Sequence, residues 1–174
     1  MSRKSVFSTA GALAVAGGVM LSAAIFAQAA EPVSLQFADA AQMAAVKERQ
    51  ELMKSIGGNM KTIADYLKES KGTAEEAKAA AANIGDLAMK IPVAFEMTAS
   101  LEEMDAVGKN RGKPEIWSDW DEFKERAETL EEKSMAVVAA FDGGDMGAVQ
   151  AAVGAMGKDG CGSCHEEFRG PKVE

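Results

Sequence analysis

The stretch Cys161-Gly162-Ser163-Cys164-His165 lies near the C-terminus and follows the pattern C-x-x-C-H. On a helix, thiols three residues apart share one face, and the histidine follows directly beside them. This is the pattern of covalent haem attachment, in which both thiols bond to the haem and the imidazole ligates its iron. The 174-residue chain contains two cysteines and one histidine, all in this stretch. The motif therefore predicts one haem c per chain, attached at Cys161 and Cys164, with His165 as the proximal iron ligand.

Three other interpretations of the motif are open. A thioredoxin-like redox pair requires a βαβ context, and the sequence shows no strand pattern. A structural zinc site takes four ligands, and the chain supplies three nitrogen or sulfur side chains of the required kind. A structural disulfide would leave the adjacent histidine without a role. The motif and its context together favour haem attachment over these three.

Residues 1–29 have the composition of a secretory signal peptide. A short basic start is followed by an uncharged run rich in Ala, Gly and Val, and Ala27-Gln28-Ala29 matches the small-x-small pattern of a cleavage site. We expect cleavage after Ala29, which leaves residues 30–174 as one mature domain in the periplasm. Export agrees with the motif, since bacteria attach c-type haem outside the cytoplasm. An uncleaved anchor is the alternative, although glycines and alanines make the run weakly apolar for a membrane span.

The composition is acidic. The chain carries 27 acidic and 19 basic residues, a formal net charge of −8, and removal of the two basic residues of the signal changes this to −10. A nucleic-acid binder is excluded because it needs a basic footprint. The charge either steers the protein towards redox partners with a basic docking surface or only keeps it soluble. After cleavage we expect no stable membrane insertion.

Apolar residues recur at spacings of three and four along four stretches, which predicts amphipathic helices. Helix A is predicted from Ala38 to Ser70, helix B from Thr73 to about Lys90, helix C from Ser118 to Gly143-Gly144, and helix D from Asp145 through the C-x-x-C-H motif. The longest irregular region is expected at residues 92–117, with a short helical turn at Thr98–Val107 as one option. Short A–B and C–D turns predict an all-α fold: an antiparallel up-down-up-down four-helix bundle with haem attached near the C-terminus.

Local signals place the helix ends. Thr73 with Glu76 three residues later forms a capping box at the start of helix B. Pro92 is expected to stop helix B, and Ser118 to cap helix C. The inner faces are expected to carry Val46, Arg49, Met53, Ile56, Met60, Ile63 and Leu67 on A; Ala77, Ala81, Ile84, Ala88 and Ile91 on B; Trp120, Phe123, Ala127, Leu130, Ser134, Val137 and Phe141 on C; and Val149, Val153, Met156, Cys161, Cys164 and Phe168 on D.

The second axial position of the iron is open to another side chain. With the single histidine and both cysteines used, the remaining candidate is a methionine. Met53 lies on the inner face of helix A, and Met60 lies two turns further along. Methionines at helical spacing also fill cores, so spacing alone leaves an iron without a second protein ligand as an alternative. Ile56, Met60, Phe168 and Arg169 are candidates for the pocket wall.

Arg49 occupies an inner-face position one turn from Met53. A buried guanidinium requires a partner, and arginine suits carboxylates because it binds them through two parallel hydrogen bonds. A haem propionate is one such partner. The alternative is that the side-chain stem packs while the charged end reaches solvent at the end of the bundle.

Three segments together resemble the cytochrome c-prime family, the class II or four-helix-bundle cytochromes c. They are the C-terminal C-x-x-C-H motif followed by Phe168-Arg169, the stretch Arg49-Gln50-x-x-Met53, and Pro114–Asp119, which reads PEIWSD. The resemblance covers the whole mature chain. Family members often pair as dimers through helices A and B, so the resemblance implies a homodimer here, and the Ala-rich helix B is compatible with it.

The resemblance implies two alternative functions. In the low-spin branch, a methionine at the position of Met53 is the second iron ligand and the protein is a one-electron carrier. In the high-spin branch, the iron is five-coordinate and binds NO or CO, and members can carry a methionine there without ligation. The run Gln50–Lys54 followed by Gly58–Met60 resembles the low-spin branch. We therefore expect electron transfer rather than enzyme activity, since a peroxidase would need a distal histidine as acid and base.

Overall fold

The inner-face stripes of the sequence form four long helices. The structure is a computed structural model that describes residues 33–97 and 110–171, with side chains from residue 40 onward. The helical segments are α1 (Val33–Glu69), α2 (Ala74–Ala88), α3 (Ile91–Phe95), α4 (Glu115–Ser118), α5 (Trp120–Gly143), α6 (Met146–Ala155), a π-helical segment (Met156–Gly162) and α7 (Ser163–Phe168). The last three segments follow one another without a break and make up the fourth long helix.

Helices that are neighbours in the chain pack side by side. α1 packs on α2, α2 on α5, and α5 on both α6 and the π-helical segment. The predicted antiparallel four-helix bundle is confirmed. Of the described helices, none combines the length and the apolarity needed to cross a membrane. The predicted signal peptide, residues 1–29, and the predicted turn at Thr98–Val107 lie outside the described residues.

The predicted inner faces form the core. The buried apolar residues that were predicted are Val46, Ile56, Ile63, Ala77, Ala81, Ile84, Ala88, Ile91, Phe123, Ala127, Leu130, Val137, Val149, Met156 and Phe168. Leu52, which the sequence analysis did not place on an inner face, is also buried. Met53, Met60, Cys161 and Cys164 are partly buried and pack against this core. Their partial exposure reflects a cavity beside them rather than a position on the outer surface.

The turn between α1 and α2 follows the predicted signals. Ser70 and Gly72 adopt positive φ values of 51° and 80°, which reverse the chain after α1. The Thr73 hydroxyl accepts a hydrogen bond from the Glu76 backbone N–H at 3.2 Å, and the Glu76 carboxylate accepts one from the Thr73 N–H at 2.8 Å. The predicted capping box is therefore confirmed, and it satisfies two donors that a helix start leaves without intrahelical partners.

Two predicted boundaries around the irregular region are wrong. α2 ends at Ala88, and Pro92 lies in the first turn of α3 rather than at the end of a helix. A proline is tolerated there because the first turn of a helix has no intrahelical acceptor for its N–H. Ser118 ends α4 instead of capping α5, which begins at Trp120 after Asp119. The predicted irregular region of residues 92–117 is thus helical at both of its ends.

α5 approaches its neighbours closely at two glycines. A Cβ atom on Gly85 of α2 would lie 2.7 Å from the Ser134 hydroxyl oxygen on α5. A Cβ atom on Gly160 of the π-helical segment would lie 3.3 Å from the Cα atom of Leu130. Both distances are shorter than ordinary van der Waals contact, so a side chain at either position would force a neighbouring atom to shift.

The π-helical segment precedes the C-x-x-C-H motif. Inner-face residues of the fourth helix advance by four and three residues up to Met156, and then by five to Cys161. A π turn closes hydrogen bonds between residues five apart, so it accommodates one extra residue per turn. The five-residue step therefore leaves Met156 and Cys161 on the side that faces the core. Helix D is present as predicted, but it is not a regular α-helix at Met156–Gly162.

Candidate functional site

A cavity of about 790 Å³ lies between α1 and the fourth helix, with α5 and the segment 110–112 contributing to its wall. The volume is in the range of cofactor pockets. All nine residues that were singled out from the sequence line it: Arg49, Met53, Ile56, Met60, Cys161, Cys164, His165, Phe168 and Arg169. Residues more than one hundred positions apart in the sequence therefore meet at one site.

The fourth helix contributes the attachment motif to this wall. Cys161, Cys164 and His165 are partly buried and line the cavity together. Burial raises the pKa of the Cys161 thiol and raises that of Cys164 to about 11. Both thiols are therefore neutral at pH 7, whereas a redox-active C-x-x-C pair has a thiol of lowered pKa. This environment does not favour the thioredoxin-like alternative.

The end of the fourth helix is held by a segment that the sequence analysis left as irregular. The Gly170 N–H donates to the Arg111 carbonyl at 2.7 Å, and the Lys113 N–H donates to the Phe168 carbonyl at 3.0 Å. The Arg111 side chain donates to the Gly170 carbonyl from both Nε and Nη2, at 3.0 and 2.8 Å. These bonds fix α7 against the segment before α4. The bonded residues lie more than fifty positions apart in the sequence, so no local sequence pattern predicts these bonds.

His165 is suited to iron ligation by its protonation state. Its pKa is lowered first by burial, and further by the charges of Arg169 and Arg111. A lowered pKa keeps the imidazole neutral at pH 7, and only the neutral ring can offer a nitrogen lone pair to a metal. Among the described residues, no three His, Cys, Asp or Glu side chains cluster in a way that could hold a metal ion. Those residues therefore offer no four-ligand zinc site.

α1 supplies the methionines of the cavity wall. Met53 and Met60 line the cavity with Ile56 between them, and Gly57 lines it as well. A Cβ atom on Gly57 would meet nothing within 4 Å. The absence of a side chain there leaves open space next to the methionines. The structure thus brings Met53 to the same cavity as His165, although 112 positions separate them in the sequence.

Arg49 is buried and has protein partners. Its Nε donates to the Ala94 carbonyl at 2.8 Å, and its Nη2 donates to the Met97 carbonyl at 2.6 Å. Its guanidinium carbon also lies 4.9 Å from the centre of the Phe95 ring and 5.4 Å from that of Trp117. Burial lowers the pKa of Arg49, and the charge of Glu48 opposes this effect. The side chain therefore holds α3 against α1, and its contact with a haem propionate stays a prediction.

Arg126 lines the same cavity and was missed by the sequence analysis. Its Nη2 donates to Glu122 one turn earlier on α5, at 2.5 Å. Its Nε is buried and has no hydrogen-bond partner among the described residues. Spacing of four between opposite charges is common on solvent-facing helix surfaces, so the sequence pattern does not place this pair beside a cofactor.

The residues present fit a covalently held haem. Two thiols and one imidazole lie on one wall, a methionine lies on another, and the lining between them is mostly apolar, with Phe123, Leu130 and Phe168 among the lining side chains. Arg126 also lines the cavity, and its buried Nε has no hydrogen-bond partner among the described residues. Cys161 and Cys164 would hold the porphyrin, and His165 would ligate the iron.

Comparisons with known proteins agree with this site. The family model described as Cytochrome C' matches residues 44–169. Cytochrome c-556 of Agrobacterium tumefaciens (strain II Chrys) is 34% identical over 125 residues, which cover 71% of this chain and 95% of the relative. Cytochrome c' of Rhodospirillum rubrum is 28% identical over 159 residues, which cover 89% of this chain and 95% of the relative.

Solved structures show the same fold. The crystal structure of cytochrome c' from Thermochromatium tepidum superposes with a TM-score of 0.64 at 25% identity, covering 75% of this chain and 97% of the other. A variant of cytochrome c prime from Alcaligenes xylosoxidans, solved as a nitric oxide complex, superposes with a TM-score of 0.61 at 26% identity, with coverage of 75% and 97%.

Proposed function

The chain belongs to the cytochrome c′ family of c-type haem proteins, and from this premise we propose that it is an exported one-electron carrier whose iron is ligated by His165 and Met53. The observation that carries the proposal is the position of the two side chains. Met53 on α1 and His165 on α7 line one cavity from two different helices. A planar cofactor attached at the neighbouring cysteines can therefore meet both.

When bound, the haem supplies a single iron that cycles between the ferric and ferrous states. Cys161 and Cys164 fix its position covalently, and His165 remains neutral and available because burial and two arginines lower its pKa. The hydrogen bonds between residues 111–113 and 168–170 keep α7 in place. The apolar lining excludes water from the cofactor, and methionine ligation raises the reduction potential.

A second candidate function is the binding of a small gas at a five-coordinate iron. It is favoured by one specific observation, the nitric oxide complex of the related Alcaligenes xylosoxidans protein. Open space beside Gly57 is compatible with it. The two functions differ in a single contact, since a methionine sulfur bound to the iron occupies the position that a gas would take.

The test compares the optical spectra of the wild-type protein, Met53→Ala and Met60→Ala, in the ferric and ferrous forms and with CO. We expect a low-spin wild-type spectrum with a methionine–iron charge-transfer band and no response to CO. Met53→Ala should become high-spin and bind CO. Met60→Ala is the matched control, because it removes a second cavity-lining methionine, and it should keep the wild-type spectrum.

Two results would contradict ligation by Met53. A high-spin ferric wild type that binds CO readily would exclude Met53 as a ligand and leave the gas-binding function. Conversion to high spin by Met60→Ala alone would move the ligation to Met60.

We propose cleavage after Ala29 and residence of residues 30–174 in the periplasm, as the composition of residues 1–29 supports. The formal charge of the mature chain supports redox partners with a basic docking surface. A homodimer through α1 and α2 agrees with the family resemblance. An enzymatic role such as peroxidase is disfavoured, because the single histidine of the chain lies in the attachment motif.

A further inference from the structure

Two ion pairs occur close together on α5, and they face different surroundings. Lys124 pairs with Asp121 at 2.8 Å, and the Asp121 side chain is 97% exposed. Arg126 pairs with Glu122 at 2.5 Å, with side-chain exposures of 34% and 43%. Arg126 lines the cofactor cavity, and Lys124, Asp121 and Glu122 are not among the cavity-lining residues. Only one of these two similar pairs therefore directs its cation towards the cofactor.

The guanidinium of Arg126 is held at one end and lacks a partner at the other. Its Nη2 is bonded to Glu122 on the solvent side. Its Nε is buried without a hydrogen-bond partner among the described residues. A fixed side chain with an unsatisfied buried donor costs free energy, and such features often mark a position that serves a bound group.

Arg126 shares the cavity wall with the attachment motif. Arg126, Cys161 and Cys164 line the same cavity, and α5 packs directly on the π-helical segment that contains Cys161. The positive charge of Arg126 therefore lies on the wall of the space that an attached haem would occupy. A charge in a partly desolvated wall is screened less than one at the surface.

We propose that Arg126, held in place by Glu122, is a fixed positive charge at the haem edge that raises the reduction potential of the iron. The inference rests on the proposed electron-carrier function and names a residue that adjusts it. Ferric haem carries one more positive charge than ferrous haem. A nearby cation therefore disfavours the ferric state and favours the reduced protein. Glu122 opposes this effect only in part, because it lies outside the cavity wall and is more exposed.

The experiment is a spectroelectrochemical titration of the purified holoprotein and its variants. Arg126→Gln should lower the midpoint potential, with a roughly three- to tenfold shift of the ferric-to-ferrous ratio at a fixed solution potential; tenfold corresponds to about 59 mV for one electron. Arg126→Lys retains the charge and should stay near the wild-type value. Lys124→Gln removes the same charge from the exposed pair and should change the potential much less.

Glu122→Gln is a second, independent variant in case Arg126→Gln folds poorly. It removes the negative charge that opposes Arg126, so it should raise the midpoint potential. Equal shifts in Arg126→Gln and Lys124→Gln would overturn the proposal, as would an unchanged potential in Arg126→Gln or in Glu122→Gln. Ferric and ferrous spectra of each variant separate this result from the ligation question. If Met53 does not ligate the iron, the wild-type spectrum shows it. If the Arg126 proposal is wrong, the variants have unchanged potentials and unchanged spectra.

Discussion

Between α2 and α5 the helices meet through small side chains, whereas between α1 and the fourth helix a cavity of about 790 Å³ separates them. α2 has four buried alanines and Gly85, and on the closed side Gly85 lies against Ser134 of α5. On the open side, Met53 and Met60 stay partly exposed because they border the cavity. Small side chains thus set the helix spacing on the closed side, whereas the open side leaves a cavity with room for a cofactor.

The closed side and the open side are stabilised by different groups. The closed side is complete in the protein itself, since its side chains fill the space between the helices. The open side has an apolar lining that requires a haem to cover it. We therefore expect substitutions on the closed side to act through packing, and loss of the cofactor to act on the open side and on the fold as a whole.

The largest expected effect comes from removing the attachment points. Cys161→Ala combined with Cys164→Ala should abolish covalent haem, seen as loss of haem staining after denaturing electrophoresis. Without haem the apolar lining of this cavity is exposed to water, so the protein loses apolar burial against a total stability of only roughly 5–15 kcal/mol for a domain. The thermal unfolding transition should therefore lose its cooperativity.

Ser163→Ala is the matched control for this change. It removes one oxygen from the same motif, where the Ser163 hydroxyl donates to the Asp159 carbonyl one turn earlier. It should keep haem staining and near-normal thermal stability. Cooperative unfolding of the double-cysteine variant at the wild-type temperature would show that the open side is stable without its cofactor and would break the comparison.

The sequence predicts the cofactor and the closed side well, for physical reasons. Three chemically specific side chains occur together in one motif, and a helix repeats its inner face every three or four residues. The same reasoning predicts Arg49, Met53 and Met60 beside the haem; all three line one cavity, and their roles towards a haem stay predictions. The π-helical segment also corresponds to a feature of the sequence, the five-residue step between the inner-face residues Met156 and Cys161.

Other features could not be predicted because they depend on contacts far apart in the chain. Arg49 was recognised as an unusual buried charge, but its carbonyl partners on and beyond α3 follow from how α3 packs on α1. The bonds from residues 111–113 to the end of α7 involve backbone groups, which every residue carries. In the sequence, Glu122 and Arg126 have the spacing of an ordinary surface ion pair. In each case, tertiary packing decides which group lies beside the cavity.

A moderate effect is expected on the closed side from Gly85→Ala. The added Cβ atom would lie 2.7 Å from the Ser134 hydroxyl oxygen, and Ser134 is fully buried. We expect the free energy of unfolding to fall by about 1–3 kcal/mol because the core is overpacked, while the haem spectrum is unchanged. Chemical denaturation of the holoprotein measures the change.

A double-variant cycle tests the cause of that change. Ser134→Ala removes the clashing oxygen, so Gly85→Ala combined with Ser134→Ala should be more stable than the sum of the two single changes predicts. Strict additivity would show that the hydroxyl is not the obstacle and that α2 and α5 adjust their distance more freely than the close contact implies.

The smallest effect, with the opposite sign, is expected from Gly58→Ala on α1. A Cβ atom there would meet nothing within 4 Å, and Gly58 is exposed and outside the cavity wall. Alanine is favoured over glycine inside a helix by about 0.5–1 kcal/mol, so denaturation should show a gain of that size with an unchanged spectrum. The comparison with Gly85→Ala is matched, because the same methyl group is added within a helix in both proteins. A loss of stability would mean that this face of α1 is covered in solution, and since a homodimer through α1 and α2 is expected, sedimentation of the variant at several concentrations would then identify a second copy as the cover.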